Sequence, residues 1–539
     1  MSSLIVRTTG QTHRLDCEPG QSLLAGLLAA EIPLRVGCNG SGGCGLCLVR
    51  VIAGRADAPT PVEALHLEEP QLAAGVRLAC QIVPRGDLEL EILALAARPT
   101  LQYEPPDQAG LPTRTLATSW SASAAGKLGL AVDLGTSTLS LALFDLGTGE
   151  WRGGCRGANP QGLFGQDILT RLTMAVDSPA RACQMRQSVI AAIGTGLHGL
   201  GRRAAARREN IAAVTLVANP AMLALVTGDR IARLLDPVSW WQPVDWSLDE
   251  PRDWAQAWGI DPASRINLVP PLSGLIGSDL LAGLIATNLT VDSGPGLLID
   301  FGTNSEIALW DGMSLWVSSA AGGPAFEANG LRCGLPAEPG AIDRLVFRDG
   351  LPEWRVIGGG PPRGFCGTGL VDLIAGLRQA DWLSERGHLT PEWSASGFAL
   401  AAAGDVPRLS GADVDRFQTA KAAIGCGIAL LLDRTGLAVA DLQRIAVGGT
   451  FGQGLDIANA SAIGLLPAVA PERIALCGNT ALAGAAALLL SPERLEHLSA
   501  LRAAAQVMNL ALEPEFEATF LDHLYLRPLG PGARGDDPT

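Results

Sequence analysis

Four cysteines near the start of the chain have the type and spacing of ligands for an iron–sulfur cluster. Cys38, Cys44 and Cys47 follow the spacing C-x5-C-x2-C within a glycine-rich run, and Cys80 follows at a distance. A [2Fe–2S] cluster needs four thiolates, and glycines let backbone N–H groups turn toward its sulfides. A zinc site also uses four cysteines, but usually as two C-x2-C pairs. The spacing therefore favours a [2Fe–2S] cluster over zinc.

The elements around these cysteines are predicted from alternating hydrophobicity. The pattern indicates strands at 4–9, 46–54 and 87–93 and a helix at 22–30, which together form a small mixed α/β unit. The cysteine pattern resembles that of [2Fe–2S] ferredoxins with adrenodoxin-like spacing. The resemblance implies a β-grasp-like fold for residues 1–96. The remaining cysteines are isolated and are mostly expected to be small buried hydrophobes: Cys17, Cys155, Cys183, Cys333, Cys366, Cys426 and Cys477.

A different chemistry is indicated where an apolar strand ends in Asp133. It is followed by a glycine and three hydroxyl residues, Gly135, Thr136, Ser137 and Thr138. In such a turn, backbone N–H groups and hydroxyls cradle phosphate oxygens, and the carboxylate faces Mg²⁺ through water. Taken alone, the turn is also compatible with a plain hairpin.

The same pattern recurs about 170 residues later, at Asp300. This second strand also ends in an Asp-x-Gly-Thr turn, formed with Gly302, Thr303 and Asn304. Two such hairpins predict two homologous lobes that hold phosphates in a shared cleft. Asp279 either positions Mg²⁺ or the attacking water, or caps a helix.

A third glycine-rich turn, Gly448-Gly449-Thr450, ends another apolar strand. Glycines there let an adenosine lie against the backbone. In this order, the three turns resemble the actin, sugar-kinase and heat-shock-chaperone superfamily. Further motifs lie at 159–172, 217–225, 270–283, 318–342 and 366–377. Together with the cysteines, they resemble the ATP-dependent reductive activators of corrinoid proteins.

This resemblance implies an α/β multidomain chain, a ferredoxin domain followed by a two-lobed, ribonuclease H-like ATPase fold. The predicted boundaries are 1–96 for the ferredoxin domain, 97–127 for an extended linker, 128–290 and 291–525 for the lobes, and 526–539 for a flexible tail. The extra middle domain of longer members, associated with dimerisation, is expected to be missing. Only about thirty residues separate the ferredoxin unit from the first lobe.

The implied activity passes one electron from the cluster to cob(II)alamin, regenerating cob(I)alamin with ATP and Mg²⁺. A ferredoxin cluster lies near −400 mV and the cobalt couple lower still, so ATP hydrolysis must drive the transfer. The expected partners are a corrinoid protein, methionine synthase or another cobalamin-dependent methyltransferase, and an unidentified low-potential electron donor. Ser318 and Ser319 are hypothesised to contact the corrinoid or, alternatively, to form a turn between the lobes.

Two other functions fit the same fold. One is a small-molecule kinase that carries a redox-sensing ferredoxin domain, and the other is a non-enzymatic ATP-gated scaffold. Gln161 and Asp167 either reach the metal or form loop hydrogen bonds. A tryptophan group either docks a partner or anchors a loop on the core: Trp240, Trp241, Trp246, Trp254 and Trp258.

Composition narrows the possible partners and the location. The net charge of −14 and the lack of a basic stripe argue against nucleic acid. No run approaches the roughly 18 apolar residues of a membrane helix, and the start does not resemble a signal peptide. A cytoplasmic location without membrane attachment is therefore expected.

Overall fold

The computed structural model describes most of the chain between residues 2 and 530. Outside the described residues are 1, 9, 31, 33, 35–39, 41, 43–44, 46, 68, 94–100, 105–114, 166, 243–250, 292–293, 303, 321, 323–325, 327–330, 349–350, 401–406 and 531–539.

The N-terminal unit is a five-stranded sheet covered by short helices. Its elements are β1 Ser2–Thr8, β2 Gln11–Cys17, α1 Leu23–Ala29, β3 Leu48–Gly54, α2 Pro61–His66, α3 Glu69–Ala73, β4 Val76–Leu78 and β5 Leu88–Ile92. The strand order is β2-β1-β5-β3-β4, with β1 and β5 parallel. The predicted helix is confirmed, and Ser22 caps it by accepting a hydrogen bond from the Ala25 N–H.

A buried ion pair joins α2 to β4, which lies two residues before Cys80. Arg77 Nε lies 2.7 Å from Glu63 Oε1, and Arg77 Nη2 lies 2.8 Å from Glu63 Oε2. Burial alone acts to raise the pKa of Glu63, but hydrogen bonds from Arg77, Thr60 and Leu78 lower it overall. The pair therefore fixes the segment that carries Cys80.

The first lobe contains a six-stranded sheet and five helices among the described residues. Its elements are β6 Gln102–Glu104, β7 Leu128–Leu134, β8 Thr138–Asp145, β9 Trp151–Ala158, α4 Ile168–Asp177, α5 Pro179–Arg203, β10 Ile211–Ala218, α6 Pro220–Thr227, α7 Pro251–Trp258, β11 Arg265–Leu268 and α8 Ser278–Thr287. The order is β11-β10-β7-β8-β9-β6.

The second lobe repeats this arrangement and adds two small sheets. Its elements are β12 Gly296–Phe301, β13 Ser305–Trp310, β14 Leu315–Ala320, β15 Ala341–Arg348, β16 Leu351–Val356, β17 Gly364–Phe365, α9 Gly367–Gln379, α10 Pro391–Ser394, β18 Phe398–Ala399, β19 Arg408–Leu409, α11 Gly411–Thr435, β20 Arg444–Gly448, α12 Gly449–Gln453, α13 Ile457–Ala462, β21 Ile474–Gly478, α14 Thr480–Leu490, α15 Arg494–Ala504, β22 Gln506–Val507 and α16 Phe516–Asp522.

The two large sheets share one topology. In each sheet, three parallel strands lie side by side, and the third begins an antiparallel meander. The parallel strands are β11, β10 and β7 in the first lobe and β21, β20 and β12 in the second, and the meander continues through β8 and β9 or through β13 and β14. Helices α8 and α14 pack against each other, and one buried core joins residues of both helices and both sheets. The turns after β7 and β12 therefore occupy equivalent positions in the two lobes, as the repeated motif predicted.

Part of the predicted linker is docked on both lobes. Strand β6 pairs with β9 at the edge of its sheet. Further on, the Thr118 hydroxyl donates to the Leu146 carbonyl (2.7 Å), and Trp120 Nε1 donates to the Leu489 carbonyl (2.9 Å). The extended, proline-rich composition indicated the backbone shape but not these contacts.

Two of the tryptophans anchor the core of the first lobe. Trp254 and Trp258 are fully buried, with ring centroids 5.4 Å apart in an edge-to-face arrangement. Trp258 Nε1 donates to the Ile190 carbonyl, so the core-anchoring interpretation is confirmed for this pair. Trp246 lies outside the described residues.

Among the isolated cysteines, Cys183 is exposed, contrary to the expectation of burial.

No described helix has the length and apolar character needed to cross a membrane.

Arg77→Met should lower the stability of the ferredoxin unit by about 3 kcal/mol, because it leaves the Glu63 carboxylate buried without its partner. Thermal bleaching of the cluster absorbance measures this effect. Arg50→Met is the matched control, because the Arg50–Glu91 pair is 44% exposed on both sides and should contribute below about 1 kcal/mol. Equal bleaching temperatures for the two variants would contradict the assignment.

Candidate functional site

Two of the predicted cluster ligands, Cys47 and Cys80, lie in contact. Cys47 immediately precedes β3, and its carbonyl accepts a hydrogen bond from the Ala79 N–H (2.8 Å). A hydrogen bond with the Cys47 thiol, opposed by burial, lowers the pKa of Cys80 to about 6. A thiol that readily ionises is suited to metal ligation. Cys38 and Cys44 lie outside the described residues.

Two described glycines between Cys38 and Cys47 have backbone conformations that favour glycine. Gly42 and Gly45 have φ values of +87° and +67°, which favour glycine. The Gly42 carbonyl lies 2.8 Å from His66 Nε2, and a Cβ on Gly42 would lie 3.0 Å from Gln81 Nε2. Gly42 therefore lies against the segment that carries Cys80, and the adjacent thiols of Cys47 and Cys80 fit two ligands of a [2Fe–2S] cluster.

The second site is a group of four carboxylates between the two lobes. Asp133 lies near the end of β7, Asp279 in the first turn of α8, Asp300 near the end of β12, and Glu306 on β13 opposite Asp300. All four side chains are half-buried. Asp279 does not cap α8, because the N-cap is Gly277. Glu306 was not predicted, because it lies within an ordinary-looking strand.

Burial, and for three of the four groups the charge of neighbouring carboxylates, raises the pKa values at this site. Burial, aided by the charges of Asp279 and Asp300, raises the pKa of Asp133 to about 7 despite a hydrogen bond from Asn479. Burial and Asp279 raise the pKa of Asp300 to about 7, and burial raises the pKa of Asp279 to about 6. Burial, with the charges of Asp279 and Asp300, raises the pKa of Glu306 well above its ordinary value. A bound cation would lower these raised pKa values, because it favours the ionised carboxylates.

Two asparagines hold the first phosphate turn. Asn159 Nδ2 donates to the Gly135 carbonyl (2.8 Å), and Asn219 Nδ2 donates to Thr136 Oγ1 (2.9 Å). Each asparagine precedes a proline and caps the helix that follows. Ser137 is exposed and Thr138 begins β8. Both asparagines lie within the family motifs at 159–172 and 217–225, but their roles at this turn emerge only from the fold.

The second phosphate turn lies against the glycine pair. Gly302 and Asn304 lie between β12 and β13, whereas Thr303 is outside the described residues. Gly449 has a φ of +86°, and a Cβ there would collide with the Phe301 carbonyl and lie 3.2 Å from Asp300 Oδ1. The glycine pair thus lets two strands approach closely beside Asp300. Its contact with adenosine, and that of the exposed Thr450, stays a prediction.

Helix α14 connects the two aspartate strands. The Asn479 amide donates to Asp133 Oδ2 (2.8 Å) and the Thr480 hydroxyl to Asp300 Oδ2 (3.1 Å). Adjacent residues therefore bind one carboxylate from each lobe. The Gly-Asn-Thr sequence at 478–480 lies at the end of β21, and its polar pair gave no separate signal in the sequence.

The two serines proposed to meet the corrinoid have different environments. Ser318 is fully buried, and its hydroxyl donates to the Met508 carbonyl (3.0 Å). It is therefore not available to a macrocycle in this structure, which corrects the expectation. Ser319 faces the other way, and its hydroxyl hydrogen-bonds Glu306. Its contact with a corrinoid remains a proposal.

Gln161 and Asp167 form local contacts. Gln161 is fully buried and its Nε2 donates to the Met185 carbonyl, while Asp167 caps α4. Both residues therefore fit the interpretation that they form hydrogen bonds within loops.

Within the described part of the chain, no three histidine, cysteine or carboxylate side chains form a direct metal-binding group.

Comparison with known families divides the chain as the structure does. Residues 6–85 match the 2Fe-2S iron-sulfur cluster binding domain, 128–292 the RACo middle region, and 295–530 the C-terminal domain of RACo, the ASKHA domain. The middle-region match coincides with the first lobe, so the expectation that the family's middle domain is missing is not supported. The protein is thus a [2Fe–2S] ferredoxin unit joined to an ATPase of the actin and sugar-kinase class.

Named relatives specify the class further. The chain is 30% identical over 418 residues to the corrinoid activation enzyme RamQ of Eubacterium limosum, covering 73% of this chain and 69% of RamQ. It is 31% identical over 250 residues to the [Co(II) methylated amine-specific corrinoid protein] reductase of Methanosarcina barkeri, covering 42% and 45%. A solved reductive activator for corrinoid, iron-sulfur protein is 25% identical, with a TM-score of 0.63 over 98% of this chain and 99% of that one.

The chain belongs to the RACo family of ATP-dependent reductive activators of corrinoid proteins. Membership in this family argues against the two alternative functions, a small-molecule kinase and a non-enzymatic ATP-gated scaffold.

Cys80→Ser should prevent assembly of the [2Fe–2S] cluster, because one of the four thiolates is lost. Iron content and visible absorbance measure this. Cys17→Ser is the control: Cys17 is buried in the same unit, where its thiol lies 3.7 Å from the Gln21 carbonyl oxygen. A full cluster in Cys80→Ser would exclude it as a ligand.

Asp300→Asn should raise the thermal midpoint of the ligand-free protein at pH 8 by roughly 2–4 °C, and by less at pH 5. A raised carboxyl pKa means that the folded state binds the proton more readily than the unfolded state, so stability falls as pH rises from about 4 toward 7. Calorimetry across this range tests the sign. Asp415→Asn, at an exposed carboxylate, should not change the midpoint, and an equal shift there would contradict the account.

Proposed function

We propose that the protein uses ATP hydrolysis to deliver one electron to the cob(II)alamin of a corrinoid protein and so regenerate cob(I)alamin. The observation that carries this proposal is that one chain contains both a thiol site and a carboxylate-lined cleft between two lobes. A bound [2Fe–2S] cluster supplies a one-electron carrier. Transfer to a lower-potential cobalt centre is unfavourable, so a second energy source is needed.

The chain's own residues divide the work at the cleft. Asp133 and Asp300, one from each lobe, would hold Mg²⁺ through water molecules and phosphate oxygens. The raised pKa values support this role, because a divalent cation relieves the repulsion among the carboxylates. Asp279 and Glu306 complete the group and would orient the attacking water. The two phosphate turns would donate hydrogen bonds to the phosphates.

Helix α14 provides a route from nucleotide to lobe movement. Its first residues hydrogen-bond Asp133 of one lobe and Asp300 of the other. Cleavage of the γ-phosphate changes the charge beside both carboxylates at once. We propose that this change alters the relative position of the lobes and thereby the affinity for the corrinoid partner, which drives the electron transfer.

The partner is proposed to be a corrinoid protein of a methyl-transfer system, including a cobalamin-dependent methyltransferase or methionine synthase. A separate low-potential protein would reduce the cluster. The chemistry of the site, a one-electron donor coupled to nucleotide hydrolysis, supports both proposals. We propose that reduction of the corrinoid protein takes place in the cytoplasm.

Glu306→Gln should lower ATP-dependent cob(II) reduction by roughly 10²-fold while dithionite still reduces the cluster fully. Removal of the carboxylate disturbs the hydrolytic site and leaves the thiol site intact. The decay of the cob(II) absorbance under anaerobic conditions measures the rate. Glu353→Gln, an exposed change on β16, is the control. An unchanged rate in Glu306→Gln would assign this residue a purely structural role.

A further inference from the structure

We infer that Asn219 is a positioning residue that orients the Thr136 hydroxyl, so that this hydroxyl donates its proton to a phosphate of the bound nucleotide. The inference rests on the ATP-binding role of the cleft in the proposed function. It extends that role to a residue that touches neither the nucleotide nor the carboxylates directly. It also assigns the direction of one hydrogen bond at the site.

The orientation of the Asn219 amide is fixed by the helix that it caps. Its Oδ1 accepts the Met222 backbone N–H at 3.0 Å, and that partner can only donate. The NH₂ group must therefore occupy the opposite position, 2.9 Å from Thr136 Oγ1. The usual ambiguity between amide oxygen and nitrogen does not arise here.

The proton of Thr136 is directed by this contact. A hydroxyl carries one proton and two lone pairs, and the Asn219 amide occupies a lone pair. Among the described residues, the Thr136 hydroxyl makes no hydrogen bond other than the one with Asn219. Its side chain is only 7% exposed, at the turn beside Asp133. The proton is therefore left to bind an anionic oxygen, and a hydrogen bond to a charged acceptor is stronger than one between neutral groups.

The same backbone segment positions the acidic side of the cleft. Ser278 Oγ accepts from the Ala218 N–H (3.0 Å) and donates to the Ala218 carbonyl (3.1 Å). A Cβ on Gly277 would lie 2.6 Å from Asn219 Cα, so the start of α8 packs directly against this residue. Asn219 thus lies between Thr136, the proposed hydrogen-bond donor to a phosphate, and the carboxylate Asp279.

A capping role alone would explain an asparagine at this position, so the test must separate the cap from the amide. Asn219→Ser does so, because serine is also a favourable N-cap but lacks an amide that reaches Thr136. Asn509→Ser is the matched control. Asn509 caps a short 3₁₀ turn through its Oδ1, 3.1 Å from the Ala511 N, and its side chain makes no other hydrogen bond among the described residues.

The experiment measures MgATP and adenosine affinities and the thermal midpoint of the full-length, cluster-loaded protein. Asn219→Ser should weaken MgATP binding roughly tenfold and leave both adenosine affinity and the thermal midpoint unchanged. In a Thr136→Val background, it should cause no further loss, because both changes remove the same hydrogen bond. Asn509→Ser should bind MgATP like the wild type.

Three results would overturn the inference. They are unchanged MgATP affinity in Asn219→Ser, losses that multiply with those of Thr136→Val, and a fall in adenosine affinity and thermal midpoint that matches the loss for MgATP. Failure of the proposed function is distinguishable. In that case the wild type would bind MgATP with the predicted Asn219 effect but would not reduce cob(II) when ATP is hydrolysed.

Discussion

Crowding of carboxylates between the lobes is the constraint on which the rest of the structure depends. Asp133, Asp279, Asp300 and Glu306 approach one another because two strand ends, a hairpin and a helix start meet there. Burial of these carboxyls, together with their mutual repulsion, destabilises the ligand-free fold when they are ionised, and such strain is common where function requires it. The buried core around α8 and α14 holds the groups together. A cation accompanied by phosphates is the natural counterpart of this charge.

The two chemistries of the chain are built in contrasting ways. The cluster unit gains rigidity from a fully compensated buried pair, Arg77 and Glu63, which fixes the Cys80 segment. In the cleft, no basic side chain among the described residues forms an ion pair with the carboxylates, and amides and hydroxyls from Asn219, Asn479 and Thr480 orient turns and carboxylates. A rigid electron site and an electrostatically poised nucleotide site suit a protein that couples hydrolysis to electron transfer.

The sequence predicted the parts of the fold that depend on local pattern. The repeated strand-Asp-x-Gly-Thr unit identified Asp133, Asp300 and the two lobes, and the cysteine spacing identified the ferredoxin unit. Glu306, Asn479 and Thr480 were missed, because their roles arise from contacts between distant segments. Ser318 was misassigned because alternation along β14 turns its side chain into the core. The docked linker was hidden because edge pairing leaves little trace in composition.

The central claim, that MgATP compensates repelling carboxylates in the cleft, is tested most directly by counting protons released on binding. Calorimetric titration of MgATP at pH 6.5 in buffers of different ionisation enthalpy gives this number. The account predicts net proton release, because a bound cation lowers carboxyl pKa values that burial and repulsion have raised to about 7. It predicts less release at pH 8.5, where more of these groups are already ionised. Proton uptake, or no exchange at pH 6.5, would contradict the account.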